Sequence, residues 1–232
     1  MIKTFVIHLA RATARREQVQ RLLDGSPWEA EILPACDGTT LGAEADRLYP
    51  GKVLHAPRYP FVLSKGEIAC FESHRRAWQK IVDEGLEAGF ILEDDADYLP
   101  NFTQAAAFAE KHLAAHGYIQ FQVTEMTGPE VLADGGVRLL RPKTVPLSAS
   151  AQLVSRDAAK ALLALTETFD RPIDTFLQMV WVTEMPIVCV VPSGVRDVNA
   201  QSTLSRKRSL GQKIAAEWKR FRYRAAVSRL SK

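Results

Sequence analysis

Residues Phe90 to Asp97 read FILEDDAD, an apolar run that enters Glu93, Asp94, Asp95 and Asp97 without a break. Like charges this close repel by about 1 kcal/mol per pair in water and by roughly 4 kcal/mol at a protein-like dielectric. A fold that gathers them at the end of a buried strand needs something to offset that repulsion. Open α/β sheets collect their ligands at the carboxyl ends of strands. Oxygen ligands of this kind suit Mg²⁺ or Mn²⁺ rather than Zn²⁺. Such a cation would relieve the crowding and neutralise a phosphate-bearing substrate. By alternation, Glu93 and Asp95 form one candidate metal pair and Asp95 and Asp97 another. The plain alternative is a solvated acidic turn that caps the following helix.

The rest of the chain supplies the strand-and-helix frame this needs. Lys3–Leu9, Glu29–Leu33, Phe90–Leu92, Tyr118–Thr124, Val137–Leu140, Ala149–Val154 and Pro186–Val191 read as strands, on β-branched and aromatic content. Thr13–Leu23, Lys65 to about Glu84, Phe102–Ala115, Ser155–Leu165 and Pro172–Trp181 read as helices. Their alternation predicts an α/β domain with a mostly parallel central sheet flanked by helices. The 25 residues from Asp37 to Phe61 show no period and read as one long loop, a place where function concentrates.

With 47% hydrophobic and 25% charged residues, the 232-residue chain can bury a core and is not disordered. Cys36, Cys70 and Cys189 are far apart and odd in number, with neither a disulfide framework nor metal spacing, which favours a reducing compartment. The opening MIKTFVIHLAR is too short an apolar run for a signal peptide or a membrane span. A cytoplasmic location is therefore expected.

Ser64-Lys-Gly-Glu67 matches a capping box at the start of the longest helix. At 100° per residue, Ile68, Phe71, Trp78, Ile81 and Val82 form an apolar stripe that also contains Glu67 and His74, with Ser73 at its edge. A carboxylate and an imidazole on an apolar face need partners or a task. Each also has an ordinary explanation: Glu67 completes the capping box, and a buried histidine is usually hydrogen-bonded core.

Taken together, the segments VIHLARATARRE, SKGEIACFESHRRAWQKI, ILEDDAD, SASAQLVSRDAAKALL and RPIDTFL resemble glycosyltransferase family 25, the lipooligosaccharide galactosyltransferase family, over roughly residues 1–203 and in the same order. The resemblance implies a GT-A-like fold, a UDP-sugar donor such as UDP-galactose, a divalent cation (Mn²⁺ or Mg²⁺), and inverting transfer to a glycan or glycolipid hydroxyl. It places the cation and diphosphate at Glu93, Asp94 and Asp95. It marks Glu67, Ser73 and His74 as site-lining, and puts Leu9, Arg11 and Arg15 near the donor, although the two arginines also fit a solvated helix face. Two features depart from the family pattern. The acidic run extends to Asp97, which leaves both metal pairs open. No histidine follows His116, so Asp197, Asn199, Gln201 or water would complete the coordination.

Inverting transfer needs a base on the face of the sugar opposite the leaving group. Asp174, in the proline–aspartate segment, is the first candidate, and Glu125, after the Tyr118–Thr124 strand, is the second. Asp174 could equally serve only the electrostatics of its helix N-terminus.

The final segment, 204–232, has ten Lys/Arg and one acid, so it carries +9 while the remainder of this +3 chain carries −6. Leu210, Ile214, Trp218, Phe221 and Ala225 recur at helical steps among basic residues. This separates a 1–203 catalytic domain from a basic amphipathic helix suited to an anionic membrane surface. A peripheral position on the inner face of the cytoplasmic membrane follows as an expectation, near a lipid-linked acceptor. The alternative is a terminal helix packed on the domain. Nucleic acid is not an expected partner, because one helix without an aromatic platform is too little. Two rival functions are a carboxylate–Mg²⁺ phosphotransferase, which the acid-free first strand disfavours, and a non-catalytic membrane-surface adaptor that retains a sugar-nucleotide fold.

Overall fold

The computed structural model describes residues 1–124, 126–198 and 210–231, and side chains in all of these except 210–214. Strand β1 (Ile2–His8) is buried from Thr4 onward. A 3₁₀ turn (Thr13–Arg15) leads into α1 (Arg16–Asp24), followed by β2 (Glu29–Pro34) and α2 (Ala43–Leu48). The segment expected to be one irregular loop thus contains a short helix, seated on the core by Ala45 and Leu48. Helix α3 (Lys65–Asp83) opens with the expected capping box: Ser64 Oγ accepts from Glu67 N, and the Glu67 carboxylate accepts from Ser64 N. Strands β3 (Ala88–Glu93) and β4 (Ala96–Tyr98) flank the acidic run, and α4 (Phe102–His116) follows. Gly117, at φ 71°, closes α4 in a conformation that a side chain would disfavour.

Next come β5 (Tyr118–Phe121), β6 (Glu130–Asp134), β7 (Val137–Leu140), β8 (Ala151–Ser155) and α5 (Arg156–Leu165), capped by Ser155. The helix expected over 172–181 is two short pieces, α6 (Ile173–Leu177) and α7 (Val180–Thr183). Strands β9 (Val188–Val191) and β10 (Val195–Asp197) precede α8 (Leu210–Leu230).

The main sheet has eight strands in the order β2-β1-β3-β8-β5-β9-β7-β6. It is mixed rather than mostly parallel. The β1–β2, β1–β3 and β5–β9 pairs are parallel, but β8 inserts antiparallel between β3 and β5, and β7 pairs antiparallel with both β9 and β6. Strands β1, β2, β3, β5 and β9 consequently end on one edge. Alternation along the strands builds a core on each face. Phe5, Ile7 and Ile91 pack with α3, α5 and α6 side chains such as Trp78, Leu162 and Phe176. Val6, Phe90 and Leu92 pack on the other face with α1 and α4 side chains such as Leu22 and Phe102. Each such fully buried large side chain contributes about 1.5–3 kcal/mol.

Strands β4 and β10 form a separate antiparallel ribbon that sets Asp97 opposite Arg196. Helix α8 packs on the domain through Ala216, Tyr223 and Val227, whereas Trp218 and Phe221, two members of the expected apolar stripe, are 60% and 63% exposed. The side chains of Leu210 and Ile214, and the proposed 203/204 boundary, lie outside the described residues. Among the described residues no helix is long and apolar enough to cross a membrane.

Candidate functional site

The acids of the FILEDDAD stretch do not act as one cluster, because the backbone turns as β3 ends. Asp94 points toward β1. Its Oδ2 lies 2.7 Å from Nδ1 of the buried His8, and its Oδ1 accepts from Arg15. Arg15 Nη2 also lies 3.6 Å from Asp95 Oδ2. Asp97 is engaged elsewhere: its carboxylate accepts from Arg196 Nη2 at 2.6 Å and from Gln18 Nε2 at 3.2 Å, and these bonds hold its pKa below the ordinary value despite some burial. The structure therefore gives no support to an Asp95–Asp97 metal pair.

Glu93 and Asp95 remain, joined by Asp197. The Asp95 carbonyl accepts from Val198 N at 2.8 Å, which fixes the end of β10 against the acidic turn. Asp95 Oδ1 is buried and accepts no hydrogen bond among the described residues. Burial first, then the negative charges of Glu93, Asp197 and Asp94, push the Asp95 carboxyl up to about 6, against the opposing pull of Arg15. The Asp197 carboxyl, on an exposed residue of β10, is also raised, by partial desolvation and by Glu93. The oxygens of Glu93, Asp95 and Asp197 do not all lie within 4.8 Å of one another, but an orphaned buried carboxylate oxygen that feels the charge of two further carboxylates belongs to a hard, oxygen-only donor set. It fits Mg²⁺ or Mn²⁺.

Glu93 is held from behind. Ala149 O can only accept, and it takes a hydrogen bond from Gln152 Nε2 at 3.0 Å, so the same amide nitrogen also faces His74 Nδ1 at 3.0 Å. Tyr118 OH donates to the Gln152 oxygen. His74 Nδ1 is therefore the acceptor, and its Nε2–H donates to Glu93 Oε1 across 3.0 Å. Cys70 Sγ adds a weaker contact to the same oxygen at 3.7 Å. Burial would raise the Glu93 carboxyl, but donation from His74 and Cys70 and the charge of Arg15 keep it below its ordinary value. Cys70, His74 and Glu93 offer ligand atoms within 4.8 Å of one another, a grouping that sequence separation hid. The protonated Nε2 makes this trio a support for Glu93 and not a ready cation site.

A cavity of about 570 Å³ opens over this edge. Glu93, Asp197, Glu67 and Asp174 line it, as do Tyr59 and Tyr223. Asp174 accepts from Thr175 N at 2.7 Å and Thr175 Oγ1 at 3.1 Å, and burial raises its carboxyl. Ser73 and His74 do not line the cavity. Ser73 Oγ instead donates to Ala69 O at 2.7 Å and accepts from Cys36 N at 2.8 Å, tying α3 to the chain after β2. Arg11 pairs with Asp37 at 2.8 Å on the surface, apart from the acidic turn, and this bond helps to pull Asp37 down to about 2. Leu9 follows β1 and is half-buried. Glu125, Asn199 and Gln201 lie outside the described residues. Sequence reasoning missed Gln152, Tyr118 and Tyr223; only their contacts across the fold reveal them.

Fold and site together define an α/β protein whose ligand cavity and acidic turn share the carboxyl edge of the sheet. Its sequence is more specific: the chain belongs to glycosyltransferase family 25, whose family model, described as "Glycosyltransferase family 25 (LPS biosynthesis protein)", matches residues 1–129. A Drosophila melanogaster "Glycosyltransferase 25 family member" is 40% identical over 109 residues, covering 45% of this chain and 18% of the relative. Danio rerio "Procollagen galactosyltransferase 1" is 36% identical over 96 residues, covering 40% and 16%. A human protein named "Inactive glycosyltransferase 25 family member 3" is 36% identical over 107 residues, covering 43% and 17%. The matched region thus spans less than a fifth of these relatives. Among solved structures, a glycosyltransferase involved in glycosylation of the major capsid of PBCV-1 aligns over 81% of this chain and 80% of its own, at 12% identity and a TM-score of 0.46.

Proposed function

We propose that this chain is an inverting, metal-dependent glycosyltransferase that moves a hexose, galactose first among the candidates, from a UDP-sugar to a hydroxyl of a lipid-linked glycan. The observation that carries the reading is the buried, unpartnered Oδ1 of Asp95, whose carboxyl feels the charges of Glu93 and Asp197. Family membership supports the reaction class, and the galactosyltransferase name of a relative supports the sugar.

In this reading Glu93, Asp95 and Asp197 would hold Mn²⁺ or Mg²⁺. When bound, such a cation supplies positive charge to a departing diphosphate. His74 orients Glu93 and keeps it ionised. Arg15 and His8 fix Asp94, so the turn that carries Asp95 has one geometry. A second cavity, of about 380 Å³, lies at the ends of β1 and β2 among His8, Arg16, Gln20, Ile32 and Pro34, and its mixed lining of apolar side chains, an amide, an imidazole and a guanidinium suits a nucleotide. Asp174 takes the proton from the attacking hydroxyl; its raised pKa brings it closer to the operating pH, which favours a general base. A GT-A arrangement with Asp174 on the far side of the anomeric carbon would give inversion.

Helix α8 extends the reading to a membrane. Trp218 and Phe221 stack at 5.8 Å on its exposed face, among arginines and lysines, as an interfacial helix requires. This supports peripheral attachment to an anionic cytoplasmic leaflet beside a lipid-linked acceptor. Flotation with phosphatidylglycerol vesicles tests it: Trp218→Ala/Phe221→Ala should stay in the pellet fraction, and unchanged flotation would remove the helix from this role.

The transferase reading is tested by incubating the full chain with a panel of UDP-hexoses, with and without Mn²⁺, and following release of UDP. Mn²⁺-dependent turnover of one sugar is expected. A non-catalytic adaptor would release UDP from none of them.

A further inference from the structure

The site described so far uses the acidic side of the large cavity. Its other wall is aromatic and cationic, and the mechanism leaves it unassigned. Tyr59 meets Tyr223 edge-on, with ring centroids 5.5 Å apart at 88°, and meets Phe61 at 5.7 Å and 72°. All three rings line the cavity. Two arginines of α8, Arg220 and Arg224, are the only cationic side chains in that lining among the described residues. Arg220 stands over the Phe61 ring with Cζ 5.5 Å from its centroid and also pairs with Glu217. Arg224 is exposed, one helical turn further on, and has no ion-pair partner among the described residues.

This wall is anchored. Arg171 is fully buried and donates to Tyr223 OH at 2.9 Å and to His55 O at 2.7 Å, while Asp170 accepts from Arg171 Nε at 2.7 Å and from Leu54 N at 2.8 Å. One buried ion pair therefore fixes α8, the segment before Tyr59 and the start of α6 relative to one another. Helix α8 is a wall of the cavity as well as a surface helix.

We infer that this aromatic and arginine wall is the acceptor subsite, and that it takes an acidic saccharide, one whose ring packs on Tyr59 and Tyr223 while its phosphate or carboxylate meets Arg220 and Arg224. The inference rests on the transferase reading and names the substrate class for it. Flat rings offer packing surface to the C–H face of a pyranose. A guanidinium presents a planar fork that matches carboxylate and phosphate oxygens. Glu67, Glu93, Asp174 and Asp197 line the same cavity. They can accept hydrogen bonds from sugar hydroxyls but repel an anion, so the two arginines dictate where the charged group sits. That constraint orients the sugar, because only one end of an acidic saccharide can face α8.

The test titrates the full chain calorimetrically with three probes: methyl β-galactoside, its 6-phosphate, and methyl β-glucuronide. Each is run with Mn²⁺ alone and with Mn²⁺ plus UDP. The 6-phosphate and the glucuronide should bind at least about tenfold tighter than the neutral sugar. In Arg220→Gln/Arg224→Gln that preference should shrink to within about twofold, and in Arg224→Glu it should invert. Melting curves establish that each variant is folded; Arg224 is exposed, so its charge reversal tests the idea without touching the core. Equal binding of neutral and acidic probes, or an acidic preference that survives in the double variant, overturns the inference. So does a double variant that loses only its binding to phosphatidylglycerol vesicles, since the arginines would then serve lipid headgroups. Failure of UDP itself to bind with Mn²⁺ marks a different failure, that of the transferase reading.

Discussion

His74 donates its Nε2 proton to Glu93 Oε1 across 3.0 Å, because Gln152 occupies the other ring nitrogen as a donor. A histidine that reads in the sequence as a possible site residue thus acts one step removed, by fixing a carboxylate. Residues in this position, behind a carboxylate that serves a cation, typically influence cation affinity and turnover by about 10–100-fold.

His74→Phe should accordingly raise the Mn²⁺ concentration needed for half-maximal turnover by about tenfold or more. Gln152→Leu should move the same quantity in the same direction by less, since the ring stays in place. Titrating Mn²⁺ at saturating donor measures both. An unchanged Mn²⁺ requirement in His74→Phe would assign the residue to the core alone.

Asp95 couples function to stability with a definite sign. Its folded-state pKa of about 6 stands above the ordinary 3.8, so the folded protein binds this proton more tightly than the unfolded chain does. Stability is then higher below the ordinary value and falls as pH rises from about 4 to about 6, by about 2–3 kcal/mol once the carboxylate is fully ionised. Asp95→Asn should remove that penalty and melt higher than the parent in metal-free buffer at pH 7. Mn²⁺ should raise the melting temperature of the parent and leave that of the variant unchanged.

Asp174→Asn should leave Mn²⁺-dependent UDP binding intact and lower transfer by about 10²–10⁴-fold. Because burial raises the parent carboxyl, the acid limb of its rate profile should lie above the usual aspartate range, and activity should be lost as pH falls through that limb. Stopped assays across pH 4.5–8 check both statements; a profile unchanged by the substitution would remove Asp174 from the base role.

Arg171→Met breaks the anchor of the α8 wall and leaves Asp170 charged and half-committed. Removing one partner of a buried ion pair costs about 3–5 kcal/mol. Tyr223→Phe deletes a single hydrogen bond from the same network and should cost about 1 kcal/mol. Urea unfolding monitored by tryptophan fluorescence compares the two, and equal costs would contradict the network as described.

What the sequence made legible follows the range of the interactions involved. The Ser64–Glu67 capping box, the Ser155 cap and the turn at Gly117 depend on neighbours within a few residues, and each could be read directly. Strand β8 between β3 and β5 could not, since strand order is set by pairing of segments some 60 residues apart, such as Leu92 with Ala151. The same distinction runs through the site. The density of acids at 93–97 was visible, but their division was not: Asp94 turns to His8 and Arg15, Asp97 turns to Arg196, and Asp95 is left without a partner at Oδ1. The helical period of α8 was legible, but the side that packs on the domain, through Ala216, Tyr223 and Val227, was not. Its larger aromatics, Trp218 and Phe221, are exposed, and Tyr223 is buried because Arg171 waits for its hydroxyl.

If Glu93, Asp95 and Asp197 together create a cation-dependent seat for a nucleotide sugar, UDP binds only while the cation is present. Calorimetric titration of UDP into the full chain, with Mn²⁺ and with EDTA, tests it most directly, run in parallel on Asp95→Ala. UDP should bind the parent with Mn²⁺, and should bind neither the parent with EDTA nor the variant. UDP binding of equal affinity in all three would contradict it.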